Sequence, residues 1–196
     1  MGRTPKFSDR DLLDRAMELC WQRGWSHTSI RDLEAALEVK APAIYRRFGT
    51  KDEFGVAIVD HYVERVVRRR IERHLHGSGD PIENIVAFLE LSVTQASDGE
   101  PLRGCLLTTT AQSVEAVDEM LRAALRRGFE VIEAGLRSEV ERAAERGLLA
   151  PGLDPHDATS TLALVMQGLM AIARSDVDPQ ALQTRARVAV AAITAG

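Results

Sequence analysis

The stretch TSIRDLEAALEVKAPAIYRRFGTK, residues 28–51, contains two short helical patterns with only a few residues between them. The first follows Thr28, whose hydroxyl suits an N-cap, and its aliphatic residues recur at helical spacing. The second has Pro42 in its first turn, where proline is favoured, and it ends at Gly49. Two short helices joined by a tight turn are typical of the helix-turn-helix motif, so this stretch predicts that motif.

The rest of the chain also predicts helices. Ala, Leu, Arg and Glu recur throughout, and no stretch alternates apolar and polar residues long enough to indicate a strand. Breaker clusters separate the helical patterns: GSGDP at 77–81, SDGEP at 97–101 and APGLDP at 150–155. We therefore predict an all-α fold of about nine helices. Three short helices form an N-terminal helix-turn-helix domain, residues 1–51, and a larger helical domain follows at 52–196.

The charge is divided unevenly along the chain, whose net charge is -4. Residues 1–51 hold ten Lys or Arg and seven Asp or Glu, a balance of +3, whereas the remainder holds fifteen and twenty-two, a balance of -7. A basic end on an acidic protein indicates a surface that faces a polyanion such as nucleic acid.

Other classes of protein find little support in the sequence. The N-terminus has no apolar core of the signal-peptide type, and the least charged stretch, residues 158–173, is too short and too polar to cross a bilayer. Two cysteines give no disulfide framework. His74 and His76 point apart on a helix, so they do not suggest a metal site. We expect a cytoplasmic protein with no membrane contact, metal or cofactor.

In a helix-turn-helix motif the second helix enters the major groove, and the residues around it hold phosphates. Short side chains at the start of this helix predict few direct hydrogen bonds to bases, with Ala43 against thymine methyl groups. Thr28 offers a hydroxyl and a backbone N–H to phosphate, and Lys51 offers its charge. The predicted DNA contacts are Thr28, Lys40, Ala41, Pro42, Ala43, Tyr45, Arg46, Arg47 and Lys51.

Residues 8–59 resemble the DNA-binding domain of TetR-type transcriptional repressors. The matching positions are Gly24-Trp25, Thr28-Ser29-Ile30, Asp32-Leu33, Val39, Ile44-Tyr45, Phe48 and Lys51. Two positions depart from the pattern: Glu38 stands in the turn where the family usually has glycine, and Arg47 stands where a histidine is common. In the left-handed conformation Glu38 costs about 1 kcal/mol relative to glycine.

The resemblance implies a ligand-responsive regulator, a repressor that binds a palindromic operator in double-stranded DNA as a homodimer and is released by a small effector. A dimer is also required physically, because one short helix reads too little DNA. We expect the interface on the last two helices, whose apolar stripes are Leu162, Val165, Leu169, Ile172, Leu182, Ala186, Ala189 and Ile193.

The effector is expected in a mostly apolar pocket inside the larger domain, so it is predicted to be hydrophobic or amphipathic. Seven large or polar residues are spaced to point inwards: His61, Tyr62, Phe88, Thr109, Gln112, Phe129 and Met166.

Three alternatives remain open at this point. Cys105 follows Gly104 near the start of a short helix and lies close to Arg103, a setting that favours a thiolate and a redox or electrophile sensor. A small helical enzyme could use Cys105 with a histidine, although no base-orienting motif, phosphate loop or metal spacing supports it. An adaptor that dimerises without DNA is the third.

Overall fold

The computed structural model describes residues 7–75, 79–93, 104–112, 118–175 and 177–195; Arg103 and His76 lie outside these ranges. The helices are α1 (Asp9–Arg23), α2 (Ile30–Leu37), α3 (Ala41–Phe48), α4 (Lys51–Tyr62), α5 (Arg69–His74), α6 (Pro81–Ser92), α7 (Leu106–Ala111), α8 (Glu119–Glu145), α9 (Pro155–Ile172) and α10 (Pro179–Ala191). A π-helical turn, Val63–Arg68, joins α4 to α5 without a break. Counted with that continuous helix as one, the described ranges hold nine helices, which confirms the all-α prediction.

Three of the first four helices begin with the same device, a capping box. Ser8, Ser29 and Thr50 each accept a hydrogen bond from the backbone N–H three residues on. The carboxylates of Asp11, Asp32 and Glu53 accept one from the cap's backbone N–H in return. The prediction that Thr28 caps α2 is wrong, because Ser29 has the acidic residue at the required spacing.

A small apolar core holds α1, α2 and α3 together. Leu12, Leu33, Leu37 and Ile44 are fully buried, so each helix contributes to the same cluster. Phe48, at the end of α3, stacks on Phe54 of α4 with ring centroids 4.5 Å apart. We call this unit, α1 to α3, the head.

The remaining helices, which we call the body, surround α8. This 27-residue helix packs against α4, α6 and α9. Two glycines let α8 approach its neighbours closely: a Cβ at Gly128 would lie 3.2 Å from a Val63 methyl, and one at Gly135 would lie 3.0 Å from Ile71. The α9 and α10 helices lie side by side, with α6 against α10.

The head is joined to the body by polar contacts of α1. Asp14 accepts a hydrogen bond from His61 Nε2 at 2.7 Å and lies 3.4 Å from Arg65 Nε in the π-helical turn. At the end of α1, Arg174 donates to the carbonyls of Trp21 and Gln22, both at 3.1 Å. These side chains connect the body directly to the first helix of the head.

Candidate nucleic-acid interface

The α3 helix is anchored on one face and open on the other. Ile44 is fully buried, whereas Lys40, Pro42 and Arg46 are exposed and Tyr45 is 39% exposed. Ala41 and Ala43 are partly exposed beside them. An aromatic and two cations on the free face of a short helix suit insertion into a nucleic-acid groove.

The turn before α3 fixes its angle to α2. Glu38 takes the left-handed conformation, with φ 55° and ψ 31°, and is the only non-glycine residue with positive φ in the described ranges. In this conformation a residue with a Cβ costs about 1 kcal/mol relative to glycine. Lys40 does not cap α3 with its side chain. Instead, Glu34 of α2 accepts the Ala41 N–H at 2.6 Å, a contact that sequence reasoning missed.

The structure removes Thr28 from the predicted DNA contacts. Its side chain is 0% exposed, and its hydroxyl donates to the Gly24 carbonyl at 2.7 Å. Its backbone N–H donates to the Trp25 carbonyl at 3.0 Å. Neither donor is available to a phosphate, so that prediction is wrong.

Arg47 and Lys51 flank the open face but differ in their freedom. Arg47 Nη1 donates to the Phe7 carbonyl at 3.2 Å and lies 3.4 Å from the Asp9 carboxylate. This arginine therefore ties α3 to the start of α1. Lys51 is half-buried with its ammonium 5.0 Å from the centre of the Trp25 ring, at the first position of α4.

The predicted effector residues do not line one cavity. Tyr62, Phe88 and Met166 are buried in the core. His61 binds Asp14 of the head, Gln112 is exposed, Phe129 is half-buried, and Thr109 donates to the Cys105 carbonyl at 2.9 Å. An open depression of about 730 Å³ lies between the α4–α5 helix and α8, and none of the seven lines it.

The predicted dimer stripe also needs correction. Leu162, Leu169, Leu182, Ala186 and Ile193 are buried within the chain itself, so they are not available to a partner. Val165 and Ala189 are partly exposed, and Ile172 is 43% exposed. The most exposed large apolar residues of α9 and α10 lie on other faces of the two helices: Leu164 at 73% and Val188 at 63%. Helical periodicity showed that the helices are apolar on more than one face but did not say which face meets the core.

Cys20 and Cys105 are both buried. Burial raises the pKa of the Cys20 thiol to about 11, so little of this thiol is ionised at neutral pH. Cys105 stands at the N-cap of α7, and the Tyr62 hydroxyl donates to its sulfur at 3.7 Å. Burial also raises the pKa of the Tyr62 phenol.

Two domain families match the chain. Residues 12–58 match bacterial regulatory proteins of the tetR family, and residues 81–189, more than half of the chain, match the tetracyclin repressor-like C-terminal domain. The chain belongs to the TetR family. The resemblance that the sequence carried at residues 8–59 is therefore confirmed, and this TetR-family protein is a helix-turn-helix transcriptional regulator.

Relatives agree with this assignment over most of their length. The HTH-type transcriptional repressor ComR of Escherichia coli is 28% identical over 173 residues, 87% of this chain and 81% of ComR. The repressor NemR of Escherichia coli is 27% identical over 138 residues, 70% of this chain and 69% of NemR. Among solved structures, a cysteine mutant of the TetR family regulator CifR, complexed with 26-base-pair operator DNA, is 28% identical with a TM-score of 0.83, covering 97% of this chain and 99% of that one.

No helix within the described ranges is both long and apolar enough to cross a membrane.

Proposed function

We propose that this TetR-family protein is a repressor that binds a palindromic operator as a homodimer and leaves it when a small hydrophobic or amphipathic effector binds. The observation that carries the proposal is the open face of α3, with Lys40, Tyr45 and Arg46 exposed above the buried Ile44. The complex of CifR with double-stranded operator DNA supports the same use of the motif here.

The DNA contacts proposed from the structure omit Thr28, which is buried, and Arg47, which is held by Phe7 and Asp9, and they add two backbone donors of α2. Tyr45 and Lys51 bind phosphates, whereas Lys40 and Arg46 reach from either end of α3 towards the groove. Ala43 lies against bases and Pro42 beside it. The small side chain of Ala41 lets α3 approach the DNA closely, but its N–H is not available because it donates to Glu34. The Ile30 and Arg31 N–H groups, at the first two positions of α2, replace Thr28 as backbone donors to phosphate.

We propose the same two domains, with the same boundary, that the sequence predicts. Residues 1–51 bind DNA, and residues 52–196 bind the effector and form the dimer. Leu164, Ile172 and Val188 offer exposed apolar area on the two helices proposed for the interface. Two copies of this face, related by a two-fold axis, would bury it and set the distance between the two α3 helices.

Binding to a duplex selected from a random pool tests the proposal. We expect affinity to fall steeply as salt rises, and a scrambled duplex of equal length to bind far more weakly. Lys40→Ala should lower the affinity and reduce the salt slope by about one ion. Arg69→Ala, which removes an exposed cation of the body, is the matched control and should bind like the parent chain. Equal binding of the selected and scrambled duplexes would refute the proposal.

A specific contact favours a second candidate function, thiol sensing through Cys105. The sulfur accepts from Tyr62, whose ring meets Trp21 of α1 edge-on at 5.1 Å, and the Trp21 indole donates to the Gly104 carbonyl at 3.1 Å. A group added to this sulfur has no free space and would displace side chains that hold α1. In this function the thiolate adds to the C=C bond of an electrophile, and the neighbouring carbon takes a proton from water.

N-ethylmaleimide tests the second candidate. Treated parent protein should lose operator binding, while Cys105→Ser should keep it after the same treatment. Cys20→Ser is the control and should respond like the parent, because the raised pKa of the Cys20 thiol leaves little thiolate to react. If native protein takes up no maleimide at Cys105, or keeps its DNA after doing so, thiol sensing is excluded.

A further inference from the structure

An open groove runs along the body between the α4–α5 helix and α8. Its volume, about 730 Å³, lies within the range of small-molecule sites, roughly 300–1,000 Å³. One wall carries charged residues spaced four apart: Asp60, Glu64, Arg68 and Glu72. The α8 wall carries Arg127, Glu130, Val131 and Ala134.

The floor of the groove is apolar. Val63 and Ile71 line it from one side and Val131 from the other. Gly128 and Gly135 allow α8 to pack closely beneath the floor, because a Cβ at either position would crowd Val63 or Ile71. An apolar floor below charged walls suits an amphipathic ligand.

The charged residues of the walls determine which charge the ligand should carry. Four carboxylates face two guanidinium groups. Arg68 pairs with Glu64 at 2.6 Å, and Arg127 lies 3.5 Å from Asp60. Within the described ranges Glu72 and Glu130 have no ion pair, so two negative charges are left uncompensated, one on each wall.

We propose that this groove is the effector site and that it takes lipophilic cations. The apolar body of the ligand lies on the floor, and its positive charge is held by Glu72 and Glu130. A lipophilic anion of the same shape is repelled by the same two carboxylates. This inference rests on the effector response proposed above and adds its location and chemical class.

The π-helical turn connects the groove to the head. π-helical turns are rare and often occur at functional sites. Val63, Glu64 and Arg68 of this turn line the groove, while Arg65 of the same turn lies 3.4 Å from Asp14 of α1. His61, just before the turn, binds the same carboxylate. A ligand that parts the turn from α8 therefore changes the contacts that orient α1.

Two ions of equal shape and opposite charge test the site directly. Tetraphenylphosphonium and tetraphenylborate are titrated calorimetrically into the full chain without DNA. We expect the phosphonium to bind once per chain and the borate to bind at least roughly tenfold more weakly. Glu72→Gln combined with Glu130→Gln should weaken phosphonium binding by about tenfold. Glu141→Gln, an exposed carboxylate of α8 outside the groove, is the control and should leave it unchanged.

Filling the groove provides a second variant that does not depend on charge. Ala134→Phe, at an exposed position of the groove, should block the phosphonium without affecting the fold. Equal binding of the two ions, or unchanged binding by Ala134→Phe, would overturn the proposed site. Release of the selected duplex by the phosphonium is measured separately. Binding without release would support the site and refute the effector response, whereas absence of binding would refute the site alone.

Discussion

At the scale of single residues, Tyr45 and Glu38 have different roles in the helix-turn-helix motif. Tyr45 is partly exposed on α3 and free to reach the DNA backbone. Glu38 instead accepts a strained conformation so that the turn can close. One residue concerns binding and the other concerns stability, and each can be tested without the other.

Tyr45→Ala should weaken binding to all DNA sequences alike, by roughly tenfold, because a phosphate contact carries no base preference. Tyr45→Phe keeps the ring and removes only the hydroxyl, so it separates hydrogen bonding from packing. Repeating the random-pool selection with both variants measures the effect at every position. A loss confined to one base pair would contradict the phosphate role.

Glu38→Gly should raise the free energy of unfolding by about 1 kcal/mol, because glycine adopts the left-handed conformation without strain. The Arg15–Glu38 ion pair that is lost, 3.8 Å long and exposed, contributes little. Urea denaturation measures the change. Glu38→Ala, which removes the same carboxylate but keeps a Cβ, should show no such gain; equal gains for both variants would show that strain is not the cause.

At the scale of helices, what could be read from the sequence was mostly local. Buried Ile44 and the end of α3 at Gly49 follow from spacing and turn chemistry. The choice of Ser29 over Thr28 as cap was also readable, since Asp32 stands at the capping-box spacing from Ser29. The contact from Glu34 to α3 was not, because it depends on the angle between two helices.

Glu34→Ala should weaken DNA binding and lower stability together, because the Ala41 N–H loses its acceptor and α3 its fixed angle to α2. We expect the free energy of unfolding to fall by about 1 kcal/mol. Glu34→Gln retains a carbonyl oxygen, so it should keep most of the DNA affinity and most of the stability. The pair is compared by urea denaturation and duplex titration; if Ala and Gln behave alike, the hydrogen bond is not what positions α3.

The capping carboxylates predict a dependence of stability on pH. The Ser29 hydroxyl lowers the pKa of Asp32 below its ordinary 3.8, and the Thr50 N–H lowers that of Glu53 below 4.5. A lowered folded-state pKa gives stability that is present above the unfolded value and is lost as pH falls through the folded value. The melting temperature should therefore hold down to about pH 5 and then fall. Asp32→Asn should melt lower than the parent at pH 7, and the gap should close in acid; a constant gap would contradict this cause.

At the scale of the whole molecule, the sequence predicted two apolar helices for the partner, but five of the eight residues predicted for the interface are buried within the chain itself. Leu162 and Ala186 meet the chain's own core, while Leu164 and Val188 are open. The groove beside α8 was missed for a similar reason. Its walls come from residues that are distant in sequence, and no local pattern announces the π-helical turn between them.

Leu164→Glu combined with Val188→Glu should convert the proposed dimer into a monomer, because it places charges at the most exposed apolar positions of the proposed interface. The fold should survive, since both side chains are exposed. Sedimentation measures the mass of the particle. Leu162→Val is a control within the core that should stay dimeric, and a double variant that remains dimeric would move the interface elsewhere.

The most direct measurement of the central claim is the pattern of DNA selected from a random pool by the intact chain, together with the number of chains on each duplex. If α3 is inserted into the major groove and presented twice by a two-fold dimer, the selected sites should be inverted repeats. Their half-sites should lie about one helical turn apart, roughly 10 base pairs, with two chains bound or a multiple of two. A single half-site occupied by one chain, or a pool that is not enriched at all, would contradict the account.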